Sequence, residues 1–227
     1  MNQDTRATRH FAAELDDVRQ RLLAMGRLVE ERIQLAIHAL LDRDANRAQT
    51  VIDHDREINE FQVEIDNRCL TMCALHQPVA VDLRSLIAAM KIASDLERVG
   101  DLAVNIAEAT KRYLKQPPVK TLVSIERMAT LAGAMLHDAL DSFVSHSVNT
   151  AQGVLDRDDE LDDLKMKTFR EYLDLMLDDP RMTEPAINLI LVSRHLERVG
   201  DHATNIAEDV IFIVTARDLR HVAGSRG

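Results

Sequence analysis

Apolar residues from Phe11 onward fall at Phe11, Leu15, Val18, Leu22, Met25, Val29, Ile33, Ala36 and Leu40. The steps alternate between four and three, which lays them along one seam of a helix packed in a bundle. A polar stretch at 42–46 ends that helix. A second helix carries Val51, Ile58, Phe61, Ile65 and Met72 on one face. Gln77-Pro78 closes it, since proline suits the first turn of a following helix and not the interior of one. A third helix is predicted over 82–113. After Pro117-Pro118 the pattern restarts, with helices over 119–145, 150–177 and 183–217 and a polar tail beyond Arg217. The Asp-Asp-Pro at 178–180 is the counterpart of the Gln77-Pro78 turn. No stretch alternates apolar and polar residues over a strand length. The predicted fold is all-α, two tandem three-helix bundles built from six long helices, the first over 1–116 and the second over 119–227.

The halves are copies of one unit. Leu-Glu-Arg-Val-Gly-Asp occurs at 96–101 and again at 196–201, and the match continues through Asn105-Ile106-Ala107-Glu108 and Asn205-Ile206-Ala207-Glu208. Within it only Leu102/His202 and Val104/Thr204 differ. Self-similarity at about half the chain length marks a duplication. The scarcity of glycine (7) and proline (5) in 227 residues agrees with a helical chain.

Charge narrows the function classes. Acidic residues outnumber basic ones 38 to 28, a formal net charge of −10, and no Lys/Arg cluster interrupts this. Nucleic acid and adsorption to anionic lipid are therefore disfavoured, and cations are the favoured ligands. The longest apolar run, 210–214, is far too short to span a bilayer, and no apolar leader begins the chain, so a soluble, reducing-compartment protein without membrane insertion is expected. Cys69 and Cys73 stand one helical turn apart in an apolar run and read as small buried hydrophobes.

On helices three and six, Glu97, Asp101, Asn105 and Glu108, and likewise Glu197, Asp201, Asn205 and Glu208, fall within a stripe roughly 80° wide. The stripe lies opposite Leu96, Val99, Ala103 and Ile106 and their copies. Acids at i,i+4 repel, so each pair wants a positive partner. Arg98 and Arg198 are adjacent in sequence and are expected to project elsewhere; Arg194 could pair with Glu197, but its counterpart is Ser94. A bound cation is the simplest partner common to both halves, and a plainly solvated face is the alternative. Asp55 and Asn59 on helix two, and Asp158 and Asp162 on helix five, could add oxygens from a neighbouring helix. Such a set suits Mg, Mn or Fe, as divalent or trivalent ions, better than a sulfur-loving zinc site, although zinc stays a candidate. Asn105, Glu108, Asn205 and Glu208 are candidate further ligands or supports of the ligands. His195 and His202, with Asp95 and Leu102 as counterparts, read as surface or supporting residues. Ferritin-type Glu-x-x-His, His-Glu-x-x-His, phosphate-binding loops and nucleophile elbows are absent, so no enzyme is expected.

With its doubled Leu-Glu-Arg-Val-Gly-Asp, its Gln-Pro-Val-Ala-Val-Asp-Leu-Arg segment at 77–84 and its Leu-Asp-Asp-Pro-Arg-Met-Thr-Glu-Pro-Ala segment at 177–186, the chain closely resembles the PhoU family. The resemblance covers roughly residues 8–222 and implies two tandem three-helix bundles. It further implies a cytoplasmic, non-enzymatic negative regulator that represses the phosphate-starvation response by linking the phosphate ABC transporter to a sensor histidine kinase. The family's (Glu/Asp)-x-x-x-Asp motifs, which hold multinuclear metal clusters, map onto Glu97/Asp101, Asp158/Asp162 and Glu197/Asp201 unchanged. The remaining one reads Asp55–Asn59, an amide replacing a charge, so the first-half site should bind metal more weakly. A homodimer is expected, and a metal-storage or metal-dependent hydrolytic bundle is the competing class.

Overall fold

The computed structural model describes residues 3–119 and 123–216, with side chains from His10 on. Among them the chain forms eight α-helices and no strand: α1 (Gln3–Leu41), α2 (Ala45–Asp53), α3 (Arg56–His76), α4 (Ala80–Tyr113), α5 (Val123–Ser145), α6 (Val148–Leu155), α7 (Asp158–Asp178) and α8 (Thr183–Thr215). A 3-10 turn (Pro180–Met182) leads into α8. The polar tail expected beyond Arg217 lies outside the described residues.

Six long helices are present, but each half's second helix is broken, which the apolar spacing does not reveal. The breaks fall at equivalent places, and at each a side chain lies against the carbonyl four residues back. The Nδ1 of His54 lies 2.8 Å from the carbonyl of Thr50, and Arg157 Nε donates to the carbonyl of Gly153 at 3.0 Å. In an uninterrupted helix these i−4 carbonyls would accept the backbone N–H of residues 54 and 157. A side chain that takes the carbonyl competes with the helix. The chain restarts at once, so Asp55 becomes the N-cap position of α3 and Asp158 the first residue of α7. The shorter helices upstream begin on ordinary caps, Asp44 accepting from the N–H groups of Asn46 and Arg47, and Ser147 from that of Thr150.

The two repeat helices, α4 and α8, pack against each other in antiparallel fashion. Lys91 pairs with Asp209 at 3.1 Å, and Arg112 Nε donates to Asn188 Oδ1 at 3.3 Å, so numbers rise along one helix as they fall along the other. α1 lies against α4 and α5 against α8, while α3 and α7 cover the outer sides. The halves also meet through α1 and α5, where Arg19 contacts His146 and Glu30 contacts His137. One apolar core runs through both halves: Val18, Leu22, Ile92, Leu96, Val99, Met128, Val199 and Ile206 are fully buried in it.

Candidate metal centres

The glycine of each repeat sets how closely the outer helix approaches. A Cβ on Gly100 would lie 2.8 Å from Ile58 Cδ1, and one on Gly200 would press closer still on Leu161 Cδ2. Ile58 and Leu161 are themselves buried, so their side chains would have to shift within a packed core to make room. Ile58 stands between Asp55 and Asn59, and Leu161 between Asp158 and Asp162. The close approach that buries the apolar residue therefore delivers its oxygen-bearing neighbours to the acids of the repeat helix.

Two clusters result. In the first, burial and then the charge of Asp101 raise the Asp55 carboxyl above its usual range, and the Asn59 amide, donating from Nδ2 at 3.4 Å, offsets this only in part. Glu97 is raised by burial, then by Asp101 and Asp55, against the opposing charges of Arg98 and His202. Two buried acceptors here, Asn59 Oδ1 and Glu97 Oε2, have no hydrogen-bond donor. In the second cluster burial comes first again for Asp158, joined by the charges of Asp162, Asp159 and Glu197 and opposed by Lys165. Asp201 keeps one side in solvent, and the packing on its other side, with Glu197, Asp158 and Asp162, raises its carboxyl while His202 opposes. The acids thus influence one another in two sets, Asp55, Glu97 and Asp101 with Asn59 beside Asp55, and Asp158, Asp162, Glu197 and Asp201.

Positive partners are present in both halves, contrary to the sequence reading. Arg98 does not project away: its Nη1 donates to Asp101 at 3.3 Å and its Nε lies 3.4 Å from Glu97. A long guanidinium reaches back along the helix surface to acids one and three positions away. In the second half the partner is not Arg194 but Lys165 of α7, whose ammonium donates to Glu197 at 2.7 Å and to Asp162 at 2.9 Å. Those hydrogen bonds raise its own affinity for a proton. The Lys165–Asp162 spacing of three was legible in the sequence; the reach to Glu197 required the fold.

The further candidates divide. Asn205 turns to α4 and donates to Asp95 at 3.2 Å, and Glu108 pairs with Arg112 at 3.8 Å. Asn105 and Glu208 are half-buried on the repeat helices. His202 Nδ1 lies 2.7 Å from the same oxygen of Asp95. Asp95 occupies the position that His195 holds in the second repeat, so a place where the copies diverge becomes a contact between them. When protonated, His202 would act on Glu97 and on Asp201, one acid of each cluster.

Carboxylate, amide and water oxygens are the donors that hard cations take, and Asn59 Oδ1, buried without a hydrogen-bond donor, fits that role. Among the described residues neither cluster gathers three carboxylates with oxygens within 4.8 Å of one another. Arg98 and Lys165 each draw two aside.

The family model described as the PhoU domain matches twice, over residues 22–110 and 125–210. A Pseudomonas aeruginosa protein called phosphate-specific transport system accessory protein PhoU homolog is 38% identical over 220 residues, covering 96% of this chain and 91% of that one. The crystal structure of PhoU from Pseudomonas aeruginosa superposes with a TM-score of 0.87 at 38% identity, over 91% of this chain and 100% of the other. That of the phosphate transport system regulatory protein PhoU from Streptococcus pneumoniae gives 0.86 at 31% identity, over 92% and 98%. No described helix is long and apolar enough to cross a membrane.

Proposed function

This chain belongs to the PhoU family, and on that premise we propose that it is a non-enzymatic accessory protein of a phosphate transport system. It restrains phosphate uptake and the starvation response when phosphate is plentiful, as a cytoplasmic adaptor between the phosphate ABC transporter and a sensor histidine kinase. The observation that carries this reading is the doubled cluster on a chain that matches the family nearly end to end. Both clusters lie where an outer helix meets a repeat helix, so a cation held there governs how firmly α3 and α7 are fastened.

Asp55, Asn59, Glu97 and Asp101 would hold metal in the first half, and Asp158, Asp162, Glu197 and Asp201 in the second. A hard cation such as Fe, Mn or Mg, when bound, supplies positive charge and oxygen-seeking bonds. The residues would do the rest: the acids come from two helices, and Arg98 and Lys165 would have to release the carboxylates they hold. The outer helices also carry an exposed apolar stripe in each half, Val63 and Leu70 on α3 and Met166, Phe169 and Leu173 on α7, with exposures between 40% and 59%. Solvated apolar rows at helical spacing suit protein docking.

The test is a phosphate-responsive reporter in cells lacking this chain. The reading expects derepression in phosphate-rich medium, restored by the wild-type chain. Unchanged repression in the null strain would overturn it. A storage bundle would instead load many ions per chain, which elemental analysis of the purified protein separates from the few expected of a regulator.

A further inference from the structure

The start of α1 and the end of α3 bring together donors of another kind. His10 and Glu14 are one helical turn apart on α1, and His76 is the last residue of α3. Glu14 Oε2 lies 3.4 Å from His10 Nδ1 and 2.7 Å from His76 Nε2. Ligand atoms of the three residues all fall within 4.8 Å of one another, and no other such group of histidine, cysteine and acidic side chains occurs among the described residues.

Local structure holds the trio in place. Gln77 adopts a left-handed conformation, φ 47°, and its N–H donates to Cys73, which stops α3 directly after His76. Phe11 meets the His76 ring edge-on, with centroids 5.4 Å apart. The three side chains differ in access: His76 is 23% exposed, Glu14 34% and His10 67%. One side of the group is therefore walled by protein and the other is open to water.

We propose that His10, Glu14 and His76 bind one borderline transition-metal ion of the zinc class through two imidazole nitrogens and one carboxylate oxygen, with water on the open side. Zinc takes this donor set at bond lengths of about 2.0–2.1 Å, which places tetrahedral ligand atoms roughly 3.3 Å apart. The two measured separations bracket that value. The acidic clusters offer no imidazole, so hard ions belong there and zinc, cobalt or nickel here. The ion fastens the first turns of α1 to the end of α3. This site shares no residue with the clusters and does not depend on the functional reading above.

The experiment is a cobalt(II) titration of full-length, chelator-stripped protein in excess Mg2+, which keeps hard-ion sites competed, with visible d–d absorption as the readout. The expected result is one absorbing cobalt per chain, displaced by zinc. His10→Gln and His76→Gln should each weaken it by about tenfold or more, while Asp174→Asn, at an exposed acid outside every proposed site, leaves it unchanged. His10 is largely exposed, so His10→Gln tests the site without threatening the fold, and circular dichroism checks His76→Gln. A titration without visible bands, one that either histidine variant leaves the same, or one that Asp174→Asn alters would each overturn the site.

Discussion

Lys165 and Arg98 hold the carboxylates that a metal ion would need. A unit charge a few ångström from a divalent ion, even at the dielectric of water, is worth about 1–2 kcal/mol. Lys165→Met should therefore tighten Mn2+ binding at the second cluster by about tenfold, read by calorimetric titration; unchanged or weaker binding would remove Lys165 from this role. The clusters themselves remain unequal, because Asn59 contributes no charge where Asp162 does. Asp201→Ala is accordingly expected to cost more bound metal than Asp101→Ala, and equal losses in elemental analysis of folded protein would contradict that ranking. The raised carboxyls also predict an inverted pH effect. A carboxyl whose folded value exceeds its unfolded one, near 4, takes up protons on folding. Its contribution to stability is full below the unfolded value and is lost as pH rises through the folded one. Asp158→Asn should thus raise the Tm of metal-free protein at pH 7, and that advantage should fade as pH falls through the raised value. A constant advantage across pH would tie the effect to something other than ionisation. The eight ligand candidates were legible because duplication pointed at them twice. The pairings of Arg98 with Asp101 and of Lys165 with Asp162 lay at a legible spacing of three, but the reach of Lys165 to Glu197 depends on the helix beside it.

At the scale of helices, the repeat's glycines set how closely the acid-bearing helices approach each other. Gly200→Ala forces a methyl group against Leu161. Overpacking of this kind costs about 1–3 kcal/mol, and it should also weaken metal binding by moving Asp158 and Asp162 away from α8. Gly133→Ala is the control: nothing lies within 4 Å of its added Cβ, so removing a helix-interior glycine should stabilise by about 0.5–1 kcal/mol. Denaturant unfolding of both variants checks the contrast, and a neutral Gly200→Ala would show that the helices can part without cost. Helix existence was plain in the spacing of Phe11 to Leu40 and in the doubled motif, since periodic burial is local information. The breaks before Asp55 and Asp158 were not, because neither contains glycine or proline. At each break His54 or Arg157 lies against the carbonyl four residues back, a choice of rotamer that composition does not encode.

Across the whole molecule, one continuous core joins halves that the sequence presents as repeats. The antiparallel α4–α8 pair places both clusters near the same seam, where His202, when protonated, would act on one acid of each, while the apolar stripes ride on the outer faces of α3 and α7. The helices that carry Asp55, Asn59, Asp158 and Asp162 are thus the helices that present Val63, Leu70, Met166 and Phe169. Fastening α7 to α8 from its inner side orders the stripe on its outer side. This arrangement separates docking from metal binding by substitution. Met166 and Phe169 are 47% and 42% exposed, so changing both to Glu removes little buried apolar area and should leave the Tm and metal content near wild type. The double variant should nevertheless fail to co-purify with the phosphate transporter complex and fail to restore reporter repression. If it still binds and represses, the α7 stripe is not the docking face. If it loses metal as well, the inner and outer sides of α7 do not act separately, and the proposed division between them fails.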